Sequence, residues 1–224
     1  LRAVPFGCSH LDSSGISMSQ VVSVQVGRVR LYARSGAAEF WESAITKEPV
    51  TGAVAVDVHG LAGDAQADRV HHGGVDKAVL GYAHEHYLAW QQEYPAVRFE
   101  PGGFGENLTI SGLDEQTCCL GDVVQVGTCT LQVSQPRQPC WKLSARWGIS
   151  KLEVRVRQAD RAGWYYRVLQ PGTITPGDAL LLLERPQPDW SIARCNQVFY
   201  ARPRDPQVTL ELAAIPQLAE AWRK

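Results

Sequence analysis

Arg137 and Cys140 share the run SQPRQPC, Ser134 to Cys140, which lies between a strand-like segment and a helix-like one. Pro136 and Pro139 each fix their own φ and push the preceding residue toward extended conformations. The run therefore predicts that a β-ladder stops here and that a rigid turn presents both side chains at a strand end. Arg137 offers a fixed fork of donors suited to phosphate or carboxylate, and Cys140 a soft sulfur that a neighbouring cation would help to ionise. Together they point to an anionic ligand carrying a thiophilic centre. The competing account is a proline-bounded turn with a core cysteine and a solvated arginine.

A second concentration of chemistry lies in GLAGDAQADRVHHGGVDKAVLGY, Gly60 to Tyr82. Asp64, Asp68, Arg69, His71, His72, Asp76 and Lys77 crowd into a glycine-rich stretch whose Gly63, Gly73 and Gly74 mark turns. It reads as a loop facing a site. Adjacent histidines on extended chain point to opposite sides, so His71 and His72 do not form a metal pair as a helical HxxxH would. A zinc site from His71 or His72, Asp76 and Cys140 has no ligand-spacing signature behind it. A loop histidine acting as proton donor is the better functional reading. In FGENLT, Glu106 and Asn107 follow Gly105 on an expected turn, where Asn107 either contacts a polar ligand ring or caps the turn. Lys47, just ahead of Pro49, reads as a loop lysine exposed to solvent.

Composition narrows the ligand class. The chain has 224 residues, 45% of them apolar, with 22 basic against 23 acidic residues and no basic tract. That length holds one large domain, or one with an appendage. The charge balance lacks the electrostatic footprint of a nucleic-acid binder, which favours a small ligand over a polymer. Six cysteines at irregular positions (8, 118, 119, 129, 140 and 195) contain no CxxC pair or disulfide framework, which argues for free thiols in a reducing compartment. With no bilayer-length apolar run and no secretory pattern at residues 1–17, the expectation is a cytoplasmic protein without a membrane association.

The positioning elements are mostly strands. VVSVQVGRVRLYA, from Val21, alternates apolar and polar residues as a half-buried strand or hairpin does, and AVAVDVHGL repeats the signal. GDVVQVGTCTLQV reads as two strands joined at Gly127 and Thr128, while WYYRVLQPG and ALLLLE supply further strands around a turn at Pro176 to Asp178. AHEHYLAWQQEY is a helix stopped by Pro95, with Tyr87, Leu88, Trp90, Gln91 and Tyr94 on its apolar face and His84 and His86 at the surface or the cap. A second helix is expected from about Ser150 to Ala159, and Cys118 and Cys119 are expected to pack in the core. After a proline-containing linker, Arg185 to Trp190, Ser191, Asp205 or Pro206, and Pro216 mark the starts of three short helices. These are too small to hold a core of their own and should pack on the body. The resulting division is residues 1–17 as an extension, 18–185 as the main domain and 186–224 as a helical extension. No GxGxxG or GxxxxGK[ST] is present.

Five stretches in this order, SAITKEPV, GLAGDAQADRVHHGGVDKAV with EHYLAW, FGENLT, GDVVQVG and SQPRQPC, resemble the MOSC domain, named for the C-terminal part of molybdenum cofactor sulfurase. Within it the chain is most similar to the 6-N-hydroxylaminopurine resistance, YiiM-like branch, whose three-helix extension the tail resembles. The similarity runs from about Val21 to Glu184.

The resemblance implies a mixed, mainly β fold: a β-barrel-like core with flanking helices and a small C-terminal three-helix extension. It further implies a molybdenum cofactor, a molybdopterin, in a basic cleft. Cys140 matches the cysteine that ligates molybdenum, a metal that accepts a soft anionic sulfur. Lys47 and Arg137 match positions around the anionic pterin, and Asn107, Gly73, Gly74 and Lys77 match the motif bordering the pocket. The implied activity is removal of oxygen from N-hydroxylated bases or related small molecules, a detoxification, with His72, His71 or Asp76 as proton source. Electrons would come from a separate flavin-containing reductase, since the chain carries no flavin or Fe–S signature. Two other functions suit the same residues: sulfur transfer through a persulfide on Cys140, and non-enzymatic carriage of the cofactor.

Overall fold

The computed structural model describes residues 19–33, 40–68 and 73–223. His71, His72 and the extension expected at residues 1–17 lie outside them. In chain order the strands are β1 (Gln20–Val26), β2 (Arg30–Ala33), β3 (Phe40–Ser43), β4 (Glu48–Val50), β5 (Val54–Asp57), β6 (Gly60–Leu61), β7 (Val79–Ala83), β8 (Leu108–Ser111), β9 (Val123–Val126), β10 (Cys129–Pro136), β11 (Trp164–Gln170), β12 (Gly172–Ile174) and β13 (Leu180–Glu184). The helices are α1 (Glu85–Glu93), α2 (Lys142–Trp147), α3 (Leu152–Gln158), α4 (Ile192–Tyr200), α5 (Pro206–Ala214) and α6 (Glu220–Arg223), and Val75–Lys77 forms a single 3-10 turn.

The fold is mixed and mainly β. Eight strands form one sheet in the order β13-β9-β10-β11-β7-β8-β1-β4. All neighbours in it are antiparallel except β7 and β8, which run parallel because α1 carries the chain across between them. The sheet curls back on itself. The segment entering β13 meets β1 through a bridge between Gln20 and Ala179, with Val21 N donating to Asp178 O at 2.9 Å and Leu180 N to Ser19 O at 2.8 Å. A few hydrogen bonds rather than a full ladder make this closure, so the body is barrel-like, with β4 outside the ring. Val24, Leu108, Leu131, Val133, Trp164 and Tyr166 fill its interior.

Two local expectations change. The run from Val21 to Ala33 is not a hairpin: β1 pairs with β4 and β8, whereas β2 pairs only with β3 in a separate two-stranded sheet. Gly27 lies at the break, where a Cβ would come within 2.5 Å of the Ala44 carbonyl oxygen. Only a bare backbone lets the cleft-forming segment pass this close. The ladder also does not stop at Ser134. It continues to Pro136, opposite Trp164, past an irregularity between Val133 and Gln135. The bulge absorbs the proline, which can donate no hydrogen bond. The two strands joined at Gly127 and Thr128 pair as β9 and β10, as the sequence predicts.

A second core packs outside the barrel around Tyr82, Tyr87, Trp90, Phe99 and Phe104, against Leu143 of α2 and Leu152 and Val156 of α3. Leu88 is not on the apolar face of α1. It is 67% exposed, and Tyr87 and Trp90 are the buried residues of this helix. His86 is neither surface nor cap: its Nε2 lies 2.6 Å from the buried Glu115 carboxylate. Glu106, expected on an open turn, is fully buried. Its carboxylate accepts from Gly102 N at 2.7 Å, Phe104 N at 3.1 Å, Thr109 Oγ1 at 2.9 Å and the Tyr87 hydroxyl. Gly102 takes φ 85, and a Cβ there would meet the Lys47 carbonyl oxygen at 2.9 Å. Glu106 thus folds a glycine turn around its own charge and seats it beside the Lys47 segment.

The first two of the last three helices are where the cap signals place them, whereas α6 begins at Glu220 rather than at Pro216, which opens a turn instead. Ser191 Oγ accepts from Arg194 N, and Asp205 accepts from Gln207 N and Val208 N ahead of Pro206. Each such cap contributes about 1 kcal/mol. Their apolar faces gather Trp190, Cys195, Leu212, Ile215, Leu218 and Trp222 against Leu120 of the body. Ala219 N donates to Ser134 O at 2.9 Å, tying the extension to the start of the cysteine-bearing run.

Replacing Glu106 by alanine leaves the Gly102 and Phe104 amides buried without acceptors, so the expected loss is about 3 kcal/mol. A urea titration followed by tryptophan fluorescence reads it as a lowered midpoint.

Candidate functional site

One cleft collects most of the residues singled out from the sequence. It encloses about 660 Å³ of empty volume, partly open to solvent, and Lys47, Lys77, Asn107, Arg137 and Cys140 line it together. Asp64, Gln138, Lys142 and Tyr165 also line it, as do Ser43, Ala44 and Ile45 on the strand leading from β3.

Strand alternation explains the wall nearest the thiol. Trp164 and Tyr166 of β11 point into the core, so Tyr165 between them points the other way. Tyr165 is opposite Gln135 in the β10–β11 ladder, and past the strand end Arg137 N donates to Gly163 O at 3.0 Å. The turn carrying Arg137 and Cys140 is therefore pinned to the strand that supplies Tyr165. Arg137 is buried. Its guanidinium donates to Phe104 O at 2.7 Å and Ala162 O at 3.2 Å, so the protein orients it before any ligand arrives. Burial pushes the Tyr165 phenol above its ordinary range; Arg137 pulls it down, and the charge of Cys140 raises it further.

The cleft floor is an ion pair. Lys47 Nζ donates to both oxygens of Asp64, at 2.5 and 2.6 Å, and each side chain is only 7% exposed. Asp64 also accepts from Gly27 N at 2.7 Å and Asn107 Nδ2 at 2.8 Å. A buried charge pair is tolerated when its remaining hydrogen-bonding capacity is filled in this way. Burial lowers the Lys47 pKa, and Asp64 opposes that shift. Lys47 is thus not a solvated loop lysine but part of the cleft, where the family resemblance also put it. Asn107 gives Nδ2 to Asp64 and to Gln25 O, and takes Leu80 N on Oδ1, so it positions Asp64 rather than capping a turn. Lys77 is lowered by burial, with Asp68 and then Asp76 acting against it.

Other expected residues fall outside the lining. Asp76 accepts from Arg167 Nε at 2.8 Å, an ion pair beside the cleft, because its place in the 3-10 turn directs it toward β11. Gly73 and Gly74 precede that turn, and Gly74 O accepts from Lys77 N at 2.9 Å, which brings Lys77 round to the cleft. Among the lining residues given no site role from the sequence are Asp64, Lys142 and Tyr165. Asp64 was legible only as an acid after a turn glycine. Lys142 adjoins the cysteine motif, and Tyr165 is betrayed only by strand parity once β11 is known to be buried on one side.

The donor set limits what the cleft holds. Lys47, Lys77, Arg137 and Lys142 face Asp64 and Asp68, a positive surplus, and Cys140 is the one cysteine among the lining residues. Among the described residues, no group of three or more His, Cys, Asp or Glu side chains stands close enough to hold a metal ion. Among the described residues, a metal entering here finds few protein ligands grouped for it.

Residues 68–181 match the MOSC domain, and residues 190–224 match the YiiM-like, 3-alpha helix domain. A Bacillus subtilis (strain 168) protein, YflK, is 39% identical over 81% of this chain and 82% of its own length. The chain belongs to the MOSC family, in its YiiM-like branch. That family is associated with the molybdenum cofactor. The crystal structure of YiiM from Geobacillus stearothermophilus superposes with a TM-score of 0.76 at 36% identity, covering 92% of this chain and 95% of that one. A Gibberella moniliformis (strain M3125 / FGSC 7600) protein named reductase is 37% identical over 92% of this chain, which spans only 36% of that longer protein. No described helix of this MOSC protein is long and apolar enough to cross a membrane.

Thiol accessibility offers a direct check. Burial pushes Cys129 up to about 11 and Cys195 up to about 12, and raises Cys118 and Cys119 as well. Cys140 is half-buried at the cleft. In a Cys8→Ser background at about pH 8, iodoacetamide should label Cys140 alone in the native protein, and all five remaining cysteines in urea. Peptide mass spectrometry resolves the positions.

Proposed function

We propose that the cleft binds the molybdenum cofactor with Cys140 as the protein's ligand to the metal, and that the loaded protein reduces N-hydroxylated bases or related small molecules to amines. The observation that carries this reading is a half-buried cysteine in a positively charged cleft where, among the described residues, no group of three or more His, Cys, Asp or Glu side chains could hold a metal ion. Such a set suits a metal that arrives with its own ligands and takes one soft sulfur from the protein. Arg137, Lys77 and Lys142 supply charge for the anionic part of the cofactor, and the Lys47–Asp64 pair forms the floor beneath it. The fungal relative named reductase supports redox chemistry over simple carriage.

When bound, the cofactor supplies the two-electron redox centre of the reaction. The balance is R–NHOH plus two electrons and two protons giving R–NH2 and water: the N–O bond breaks, nitrogen is reduced, and the hydroxyl oxygen leaves as water. Electrons come from a separate flavin-containing reductase in the cell, or from a reduced viologen in an assay. Protons must reach the leaving oxygen and the nitrogen. Asp76 is committed to Arg167, whereas the phenol of Tyr165 faces the cleft and burial keeps it protonated, so Tyr165 Oη delivers one of them.

Two variants test the reading. Cys140→Ala should lose molybdenum and lower viologen-driven reduction of 6-N-hydroxylaminopurine at least about a hundredfold, because losing a ligand outweighs losing its outer supports. Retained molybdenum and full activity would remove the central assignment. A trapped persulfide on wild-type Cys140 without molybdenum would favour sulfur transfer. Tyr165→Phe should keep the metal yet lower kcat by roughly a hundredfold.

A further inference from the structure

The two-stranded sheet of β2 and β3 stands apart from the barrel and carries aromatic residues to the cleft rim. Tyr32 and Trp41 are directly opposite in its register, with ring centroids 4.4 Å apart at 17°. The Trp141 ring meets Trp41 edge-on at 5.2 Å and 64°. Lys142 Nζ lies 5.8 Å from the Trp41 centroid and donates to Glu42 O at 3.0 Å, clamping the start of α2 onto the strand pair. The cleft wall begins on either side of this cluster: Ser43 follows Trp41 and Glu42, and Cys140 immediately precedes Trp141.

A large apolar ring costs stability when it faces water, and two here are well exposed: Trp141 at 45% and Phe40 at 67%. Trp141 is the informative one. Trp141 directly follows Cys140 in the chain, so the two backbones adjoin, and Trp41 backed by Tyr32 packs edge-on against its ring and limits its swing. Rigid aromatic surface beside a reactive group binds planar nitrogen heterocycles by stacking, and the adjacent cations favour rings with electron-rich edges.

We propose that Trp141, supported by Trp41 and Tyr32, is the subsite that holds the planar ring of the substrate while its N–O group enters the cleft at Cys140. This rests on the reduction proposed above, and it assigns the selectivity of that reaction for planar over acyclic N-hydroxylated compounds to one side chain. Trp141 is a specificity-determining residue and takes no part in proton or electron transfer.

The first test needs no cofactor. Adenine and 6-N-hydroxylaminopurine are titrated into the metal-free full chain, and quenching of tryptophan emission is compared between wild type and Trp141→Phe. Saturable quenching that largely disappears in the variant supports the subsite; equal quenching in both overturns it. The second compares kcat/KM for 6-N-hydroxylaminopurine with that for N-methylhydroxylamine, in molybdenum-loaded protein with reduced viologen. Trp141→Ala should lower the ratio roughly tenfold, and Trp141→Phe should restore most of it. An unchanged ratio in an active Trp141→Ala protein sinks the subsite while leaving the reduction intact. Quenching by the purine in a wild type that reduces neither compound sinks the reduction while leaving the subsite intact.

Discussion

The carboxylate of Asp64 holds together four stretches of chain that are far apart in sequence. It binds the Gly27 amide at the end of β1, the Lys47 ammonium between β3 and β4, and the Asn107 amide ahead of β8, while itself lying on the loop after β6. Burying a charged pair costs several kcal/mol per ion unless its hydrogen bonds are filled. That cost makes the geometry selective, because the pair is tolerable only when all four segments arrive together. The cleft floor is therefore a product of completed tertiary structure.

The same economy recurs one layer out. Glu106 satisfies the Gly102 and Phe104 amides and the Tyr87 hydroxyl, while Arg146 donates to the carbonyls of Ile45 and Gly102 at 2.5 and 2.7 Å. Buried charges in this part of the protein are spent on loop backbone. Loops that would otherwise move are seated on the barrel and on the second core, and Arg137 and Cys140 face a wall of fixed shape. Preorganisation of this kind lets a cleft bind without first having to order its own residues.

Much of the site could be read before any coordinates. Two prolines around Arg137 announced a turn that displays side chains, and the glycine-rich stretch after Gly60 announced a loop at a site. Both bear on the cleft through Asp64, Lys77, Arg137 and Cys140. The errors share a cause. By itself Lys47 read as solvated and only the family resemblance drew it to the site, Glu106 read as lying on a turn, and His86 as a surface or capping residue, yet each is paired with a group at least sixteen residues away: Asp64, Tyr87 and Glu115. Burial of a charge depends on a partner, and local composition does not reveal a partner at that distance. Asp76, one of the candidate proton sources, lies outside the cleft lining and pairs with Arg167 of β11.

Alternation along the strands, the break at Gly127, the caps at Ser191 and Asp205 and the family motifs are local properties, set by backbone sterics and by hydrogen bonds within a few residues. These the amino-acid order determined unaided, together with the cysteine and arginine on which the chemistry depends. Tertiary structure alone decided that β1 and β2 part into different sheets, that the ladder runs through Pro136, and that Tyr165 lines the same cleft as the thiol. Each of those outcomes turns on which distant strand supplies the missing hydrogen bonds and apolar cover, a choice made by the whole chain at once.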